Sequence, residues 1–94
     1  MNDLSLFDSL KQEGLTPTRW SNGPHAVYGV HDHPYDKILV VESGSITFDV
    51  NEGERTVILA RGQRLDLPAH TRHSAIVGAQ GVICLEAHSR RPKK

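Results

Sequence analysis

The chain has 94 residues, the size of one small domain, and its 11 basic and 11 acidic side chains give a formal net charge of zero. This balance provides no electrostatic case for nucleic acid as the main partner, and the single cysteine, Cys84, excludes an internal disulfide and a four-cysteine zinc site. The longest apolar run, Ile38 to Val41, is far too short to span a bilayer, and no secretory leader is recognised, so we expect no membrane partner and a cytoplasmic location.

The first predicted element is a short N-terminal α-helix. Ser5, followed three residues later by Asp8, weakly resembles a capping box, and Gly14 is well placed to end the helix in a left-handed conformation. We therefore predict a helix within residues 1–14. Its apolar stripe, at three-residue spacing, would consist of Leu4, Phe7 and Leu10.

After this helix the pattern changes to that of β-strands. Short runs rich in Val, Ile, Leu and Thr alternate with turn signals, and Gly44, Gly53 and Gly62 are nine residues apart each time. This spacing is typical of hairpins in an all-β sandwich or barrel. We therefore predict an all-β barrel domain over residues 15–89 and a basic C-terminal tail over 90–94. The estimated strands cover residues 17–21, 25–32, 37–42, 45–50, 54–60, 63–67, 73–77 and 81–88.

The clearest sign of chemistry is the pair His31 and His33. Side chains two residues apart on a strand point to the same face, so two imidazoles can reach one metal ion. His73 lies at the start of a later strand, and antiparallel closure of a rolled sheet can bring it beside the pair. Lys37 and Leu39 share the odd parity of the pair, which predicts that they line the same inward face.

The segment around the pair resembles the first motif of the cupin superfamily. That motif has a glycine, five residues, His-x-His, three or four residues, a glutamate, six residues and a glycine. His31 and His33 match it, and Gly44 falls in register. Lys37 stands where the glutamate belongs, and His25 occupies the place of the leading glycine.

A second segment resembles the second cupin motif, which has a glycine, five residues, Pro-x-Gly, two residues, a histidine, three residues and an asparagine. Gly62, Pro68 and His73 match in register. His70 replaces the glycine and Val77 replaces the asparagine. The resemblance covers roughly residues 25–88, and two independently spaced matches make it specific for the fold.

The resemblance implies a small cupin-like jelly-roll β-barrel behind the helix, with a metal held by His31, His33 and His73. The ion would be one divalent transition metal per chain (Fe, Mn, Ni, Zn or Cu), and no organic cofactor is indicated. His70 is a candidate additional ligand, although a turn role that tolerates positive φ is the favoured interpretation. A homodimer is expected from the small core and from the resemblance.

Lys37 is the decisive departure from the family pattern, because an ammonium has no lone pair and cannot bind a metal. Three arrangements stay open. Lys37 turns away and leaves a three-histidine site with open positions, or it loses its proton when buried beside a cation. In the third, no metal binds, and Lys37 and the imidazoles hold a small anion.

Other polar residues near the pattern receive weaker predictions. Tyr35 and Lys37 are predicted to contact the ligand, although tyrosines on strands usually serve packing. Glu86 shares the parity of Cys84, and a solvated strand face is favoured over a position inside the barrel. A buried, inert thiol is expected for Cys84.

The sequence supports two main functional hypotheses. In the first, the protein binds a small molecule in the barrel with the help of a transition metal held by three histidines, and the reaction is unassigned. In the second, it is a metal-free module that binds or senses a small anionic ligand without catalysis. A structural dimer with a vestigial site is a third, weaker alternative. The pattern leaves open whether the protein is an enzyme, because one barrel supports many chemistries.

Overall fold

A computed structural model describes residues 5–89 of the chain. The elements, in chain order, are α1 (Leu6–Gln12), β1 (Thr18–Asn22), β2 (Val27–His31), β3 (Asp36–Val50), β4 (Arg55–Ala60), β5 (Arg64–Leu67) and β6 (His73–Ser89). All strand pairs are antiparallel, so the predicted all-β fold behind a short helix is confirmed. The basic tail at 90–94 and Leu4 of the predicted stripe lie outside the described residues.

The helix α1 begins and ends as its sequence predicts. Ser5 is the N-cap, and its hydroxyl accepts a hydrogen bond from the N–H of Asp8 at 3.0 Å. Gly14 follows the last turn with φ 86°, and the N–H of Leu15 reaches back to the carbonyl of Leu10. The helix buries Leu10 on the outside of the sheet, against Ile38, Val40, Leu85 and Ala87.

Two long strands, β3 and β6, pair with each other along most of their lengths and organise the whole sheet. The first half of β3 also pairs with β5, and its second half pairs with β4. The second half of β6 also pairs with β1, and its first half pairs with β2. The strands therefore form two groups that enclose the main core. One group is β1, β5, the first half of β3 and the second half of β6, and the other is β2, β4, the second half of β3 and the first half of β6.

The glycines within β3 and β6 bend these strands and do not end them. The prediction of separate strands at 37–42 and 45–50, and at 73–77 and 81–88, was therefore wrong. Gly44 and Gly81 both have φ 77°, and the β3–β6 register shifts on either side of Gly44. A Cβ on Gly44 would collide with the carbonyl oxygen of Gly81. Glycine is needed there because the two strands bend where they cross closely.

The bends also decide which residues face inward. Before the bend in β3, the odd-numbered residues Leu39 and Val41 lie in the main core, as parity predicts. After it, the even-numbered residues Ile46 and Phe48 do. Cys84 is fully buried in the same core, and burial raises the pKa of its thiol to about 12, so the thiol is inert as expected. Among residues 5–89, no helix is long and apolar enough to cross a membrane.

Candidate metal centre and cavity

The structure brings together the three histidines that the sequence singled out. His31 at the end of β2 pairs with His73 at the start of β6, and their ring centroids are 4.3 Å apart. His33 lies just beyond β2, with its ring centroid 4.9 Å from that of His31 and 5.3 Å from that of His73. One ring nitrogen from each of the three lies within 4.8 Å of the others. We call these three residues the histidine cluster.

Backbone contacts between the two motif segments hold the cluster together. The N–H of His70 donates to the carbonyl of His33 at 2.7 Å, and the N–H of Ala69 donates to the carboxylate of Asp36 at 2.9 Å. The turn that leads into β6 is thereby fastened to the segment that follows β2. His70 itself is exposed and has φ 64°, which fits the turn role expected at a glycine position. The nitrogens that converge belong to His31, His33 and His73.

Two rings of the cluster are oriented by their own backbone. Nδ1 of His31 lies 2.7 Å from the carbonyl oxygen of Gly29, and Nδ1 of His73 lies 2.8 Å from that of Thr71. A carbonyl can only accept, so each Nδ1 carries the proton and donates. Nε2 of both rings is left with its lone pair, which is the arrangement seen in metal-binding histidines.

The surroundings of His33 and His73 favour their neutral imidazole forms. Burial lowers the pKa of His73, which is only 3% exposed, and the charges of His31 and Lys37 lower it further against the opposing hydrogen bond to Thr71. The pKa of His33 is lowered first by burial and then by the charge of Lys37. Neutral imidazole is the form that binds metal, because a protonated ring has no free lone pair.

The donor set fits a transition metal. Metal–nitrogen bonds of about 2.0–2.1 Å require ligand nitrogens roughly 3–4 Å apart, so side-chain shifts of about 1 Å bring the cluster into place. Three imidazoles suit zinc, copper, iron or nickel, and a site with three protein ligands keeps open positions for water or substrate. A metal would therefore be held by His31, His33 and His73.

Beside the cluster lies a cavity of about 300 Å³ between the two groups of strands. This volume is at the small end of the range for ligand-binding pockets. Its apolar wall consists of Trp20, Tyr28, Leu39, Ile46, Phe48 and Ala75. Its polar groups are Ser21, Asn22, His31, Lys37, His73 and Glu86.

Lys37 faces the cavity, as its parity predicts. Its side chain is 14% exposed, and its Nζ lies 3.5 Å from Oε1 of Glu86. Lys37 thus lines the same cavity as the histidine cluster while it pairs with a carboxylate, and the three-histidine site with open positions stays a proposal. The lysine at the position of the family's glutamate is instead matched by a carboxylate from β6.

The placement of Glu86 corrects the sequence analysis, which favoured a solvated face of the last strand. Its side chain is 19% exposed and lines the cavity, and its oxygens accept hydrogen bonds from Trp20 Nε1 and His88 Nε2, both at 2.9 Å. The signal was present in its parity with Cys84, which is buried in the core. The sequence analysis assumed that a charged residue faces water. The burial of Glu86 is instead compensated by hydrogen bonds from Trp20 and His88 and by the charge of Lys37.

Tyr35 lies against the cluster. Its ring stacks on His33, with centroids 5.1 Å apart, and on His88 at 4.0 Å. This contact fixes the plane of His33, whose orientation the backbone does not set in the way it does for the other two rings. Direct contact of Tyr35 with a ligand stays a prediction. Sequence reasoning gave Trp20 no role, although its ring borders the cavity.

No family model and no curated protein sequence matches the chain. Solved structures do. A conserved protein of unknown function from Streptococcus pyogenes aligns with a TM-score of 0.70 at 23% identity, over 84% of this chain and 67% of that one. An RmlC-like cupin from Shewanella frigidimarina has a TM-score of 0.70 at 22% identity, over 84% and 68%. The cupin domain of Cnp3 from Schizosaccharomyces pombe has a TM-score of 0.73 at 15% identity, over 82% and 56%. The chain therefore has the cupin fold, as the two motifs predicted.

Proposed function

We propose that the protein binds a small molecule in its barrel with the help of one divalent transition metal held by His31, His33 and His73. The observation that carries this proposal is the convergence of three ring nitrogens within 4.8 Å beside a cavity that His31 and His73 help to line. The carbonyls of Gly29 and Thr71 support it, because they leave Nε2 of two rings available.

The metal would supply Lewis acidity or an oxygen-activating centre at the open positions of the site. The residues of the chain provide the rest. The apolar wall excludes water, Tyr35 fixes the plane of His33, and Lys37 offers a positive charge to the ligand. The proposal assigns binding and leaves the reaction unassigned, because the fold alone does not determine one.

The test is elemental analysis of untagged protein purified without chelator. We expect close to one transition metal per chain, and we expect His33→Ala to lose it. The matched control is His70→Asn, because asparagine tolerates the positive φ of that turn and the ring of His70 is outside the cluster. Metal content that stays unchanged in His33→Ala would contradict the proposal.

A second candidate function is metal-free binding of a small anion, as in a sensor or carrier module. The observation that favours it is Lys37, which faces the cavity at the position where the cupin motif has a metal-binding glutamate. In that case, protein dialysed against EDTA binds small anions, and Lys37→Ala abolishes the binding. Absence of metal after purification, together with no anion binding, would exclude both candidates.

We further propose that the chain forms a homodimer through the outer face of β2, β6 and β4. The register aligns Val27 with Ile76, Ile76 with Thr47, and Thr47 with Ile58, and the three aliphatic side chains are each more than half exposed. A row of exposed aliphatic side chains of this kind, interrupted here by Thr47 of β3, is unusual on a monomer surface. Light scattering should give twice the chain mass, and Ile76→Lys should give the chain mass. A cytoplasmic location stays a prediction.

A further inference from the structure

The ion pair of Lys37 and Glu86 lies inside the cavity, and the proposed function uses only one of its members. Both side chains are mostly buried, and both line the same space as His31 and His73. Glu86 lies opposite Leu39 on the neighbouring strand, so its side chain and that of Lys37 emerge diagonally on one face of the β3–β6 ladder. Their positions are fixed by the central pairing of the fold.

Glu86 is the anchored member of the pair. Trp20 Nε1 donates to one of its oxygens and His88 Nε2 contacts the other, each at 2.9 Å. Burial alone would raise the pKa of its carboxyl group, but these hydrogen bonds and the charge of Lys37 outweigh burial and hold the pKa below its ordinary value. The carboxylate is therefore charged and held in place near neutral pH.

Lys37 is the adaptable member. Its ammonium carries three donors on a flexible stem, and Glu86, at 3.5 Å, is its ion-pair partner among residues 5–89. This separation is longer than a charge-assisted hydrogen bond, which is usually about 2.7–2.9 Å. A carboxylate on a ligand can approach the ammonium more closely than Glu86 does, without displacing Glu86 from its other two donors.

The two charges act on the histidine cluster in opposite directions. Both charges line the same cavity as His31 and His73, and they are opposite in sign. The same opposition applies to a cation held by the cluster, since a positive charge repels it and a negative charge attracts it. Glu86 thus offsets the electrostatic cost of placing a lysine beside a metal site.

We propose that Lys37 and Glu86 form a charge-compensating pair that selects a small carboxylic acid as the ligand and sets how tightly the histidine cluster holds a metal. Lys37 binds the carboxylate, and Glu86 is a positioning residue that compensates Lys37. The metal half of this inference rests on the proposed metal site, and the ligand half rests on the proposed binding of a small molecule in the barrel.

A carboxylate with an apolar body fits the cavity better than a bare phosphate. Trp20, Leu39 and Phe48 form an apolar wall, and about 300 Å³ is room for one small ligand. Benzoate is therefore a suitable probe, and benzamide is its neutral counterpart of nearly the same shape. The chain has one tryptophan, so quenching of Trp20 fluorescence by benzoate reports that the ligand occupies this cavity.

The ligand half is tested by calorimetry on protein dialysed against EDTA. We expect benzoate to bind about tenfold more tightly than benzamide, which is the typical gain from a charge-assisted hydrogen bond. Lys37→Met should reduce this ratio to about one. Glu86→Gln keeps an acceptor for Trp20 and should increase the ratio about threefold, because the competing negative charge is removed.

The metal half is tested with Zn²⁺ on the same variants, in which the buried Cys84 does not compete for the ion. Lys37→Met should tighten Zn²⁺ binding about tenfold, and Glu86→Gln should weaken it about tenfold. The control for Glu86→Gln is Glu42→Gln, whose carboxylate pairs with Arg19 outside the cavity. The control for Lys37→Met is Lys11→Met on the exposed side of α1.

Opposite effects of each variant on carboxylate preference and Zn²⁺ affinity are the signature of charge compensation, whereas structural damage weakens both. Unchanged benzamide affinity shows that the cavity is intact. A Glu86→Gln variant that loses both functions, or inorganic phosphate that binds wild type more tightly than benzoate, overturns the inference. Failure of Zn²⁺ to bind wild type, with the benzoate preference intact, overturns the proposed metal function and leaves the carboxylate assignment standing.

Discussion

The two sides of the cavity are built in different ways. On the histidine side, the rings of His31 and His73 are each oriented by a carbonyl two residues earlier in the chain. On the lysine side, Lys37 is matched by Glu86, which comes from a different strand far along the sequence. The orientation of the two rings is thus set by contacts two residues apart in the chain, whereas the ion pair depends on the pairing of two distant strands. Local geometry can therefore preserve a motif while long-range contacts change the charge around it.

The largest expected effect is a loss of stability that affects both sides of the cavity, caused by a substitution at the bend where β3 and β6 cross. Gly44→Ala introduces a Cβ against the carbonyl of Gly81 at a positive φ, so we expect a loss of about 3 kcal/mol or more in the free energy of unfolding. The control is Gly53→Ala, which has φ 92° but no atom near its Cβ and should cost about 1 kcal/mol. Urea denaturation measures both, and equal losses would contradict the crowding argument.

A smaller change should separate the two sides. His73→Ala removes one of three proposed ligands, so Zn²⁺ affinity should fall by about 100-fold or more, since even the loss of a group that hydrogen-bonds a metal ligand costs roughly 10–100-fold. The preference for benzoate over benzamide should persist, because Lys37 and Glu86 are untouched. Calorimetry with both probes checks this. Loss of the benzoate preference as well would mean that the sides are not independent.

The next variant places a glutamate at position 37, as in the first cupin motif. Lys37→Glu places a carboxylate where the first cupin motif has one, so Zn²⁺ affinity should rise about tenfold or more. The metal-free variant should be less stable than wild type, because Glu86 loses its cationic partner and faces a like charge. Thermal unfolding with and without Zn²⁺ measures both. Unchanged Zn²⁺ affinity would show that the side chain at position 37 does not reach the metal site.

The smallest expected effect is at the turn beside the histidine side. His70→Gly should leave stability within about 0.5 kcal/mol, because relief of the positive φ offsets the added freedom of the unfolded chain. His70→Ala should destabilise by about 1 kcal/mol, since alanine gains nothing from that conformation. Neither variant should change Zn²⁺ affinity. A fall in Zn²⁺ affinity with either variant would make His70 a ligand.

The sequence predicts the histidine side well because the spacing within each of its two motifs is local, and only the meeting of His31 with His73 depends on the pairing of β2 with β6. His25 and His70 stand at glycine positions of the two motifs, and both have positive φ, so the backbone conformation survives without the glycine. The lysine side depends on which strand lies beside Lys37, and no local sequence pattern reveals the identity of that strand. Parity also fails across Gly44, where a bulge changes which residues face inward. The merged strands were missed because a glycine in a bend and a glycine in a turn look alike in sequence.

The continuity of β3 and β6 has a consequence for how the protein folds. Lys37 belongs to one of these strands and His73 and Glu86 to the other, and β4 and β5 lie between them in the chain. Their pairing closes a large loop, so it is entropically costly and slow compared with forming the β3–β4 hairpin. The proposed carboxylate site, with Lys37 on β3 and Glu86 on β6, is incomplete until these two strands pair, whereas the histidine cluster requires β2 to pair with β6. In a stopped-flow refolding experiment, benzoate binding should therefore time the pairing of β3 with β6, and Zn²⁺ binding the pairing of β2 with β6.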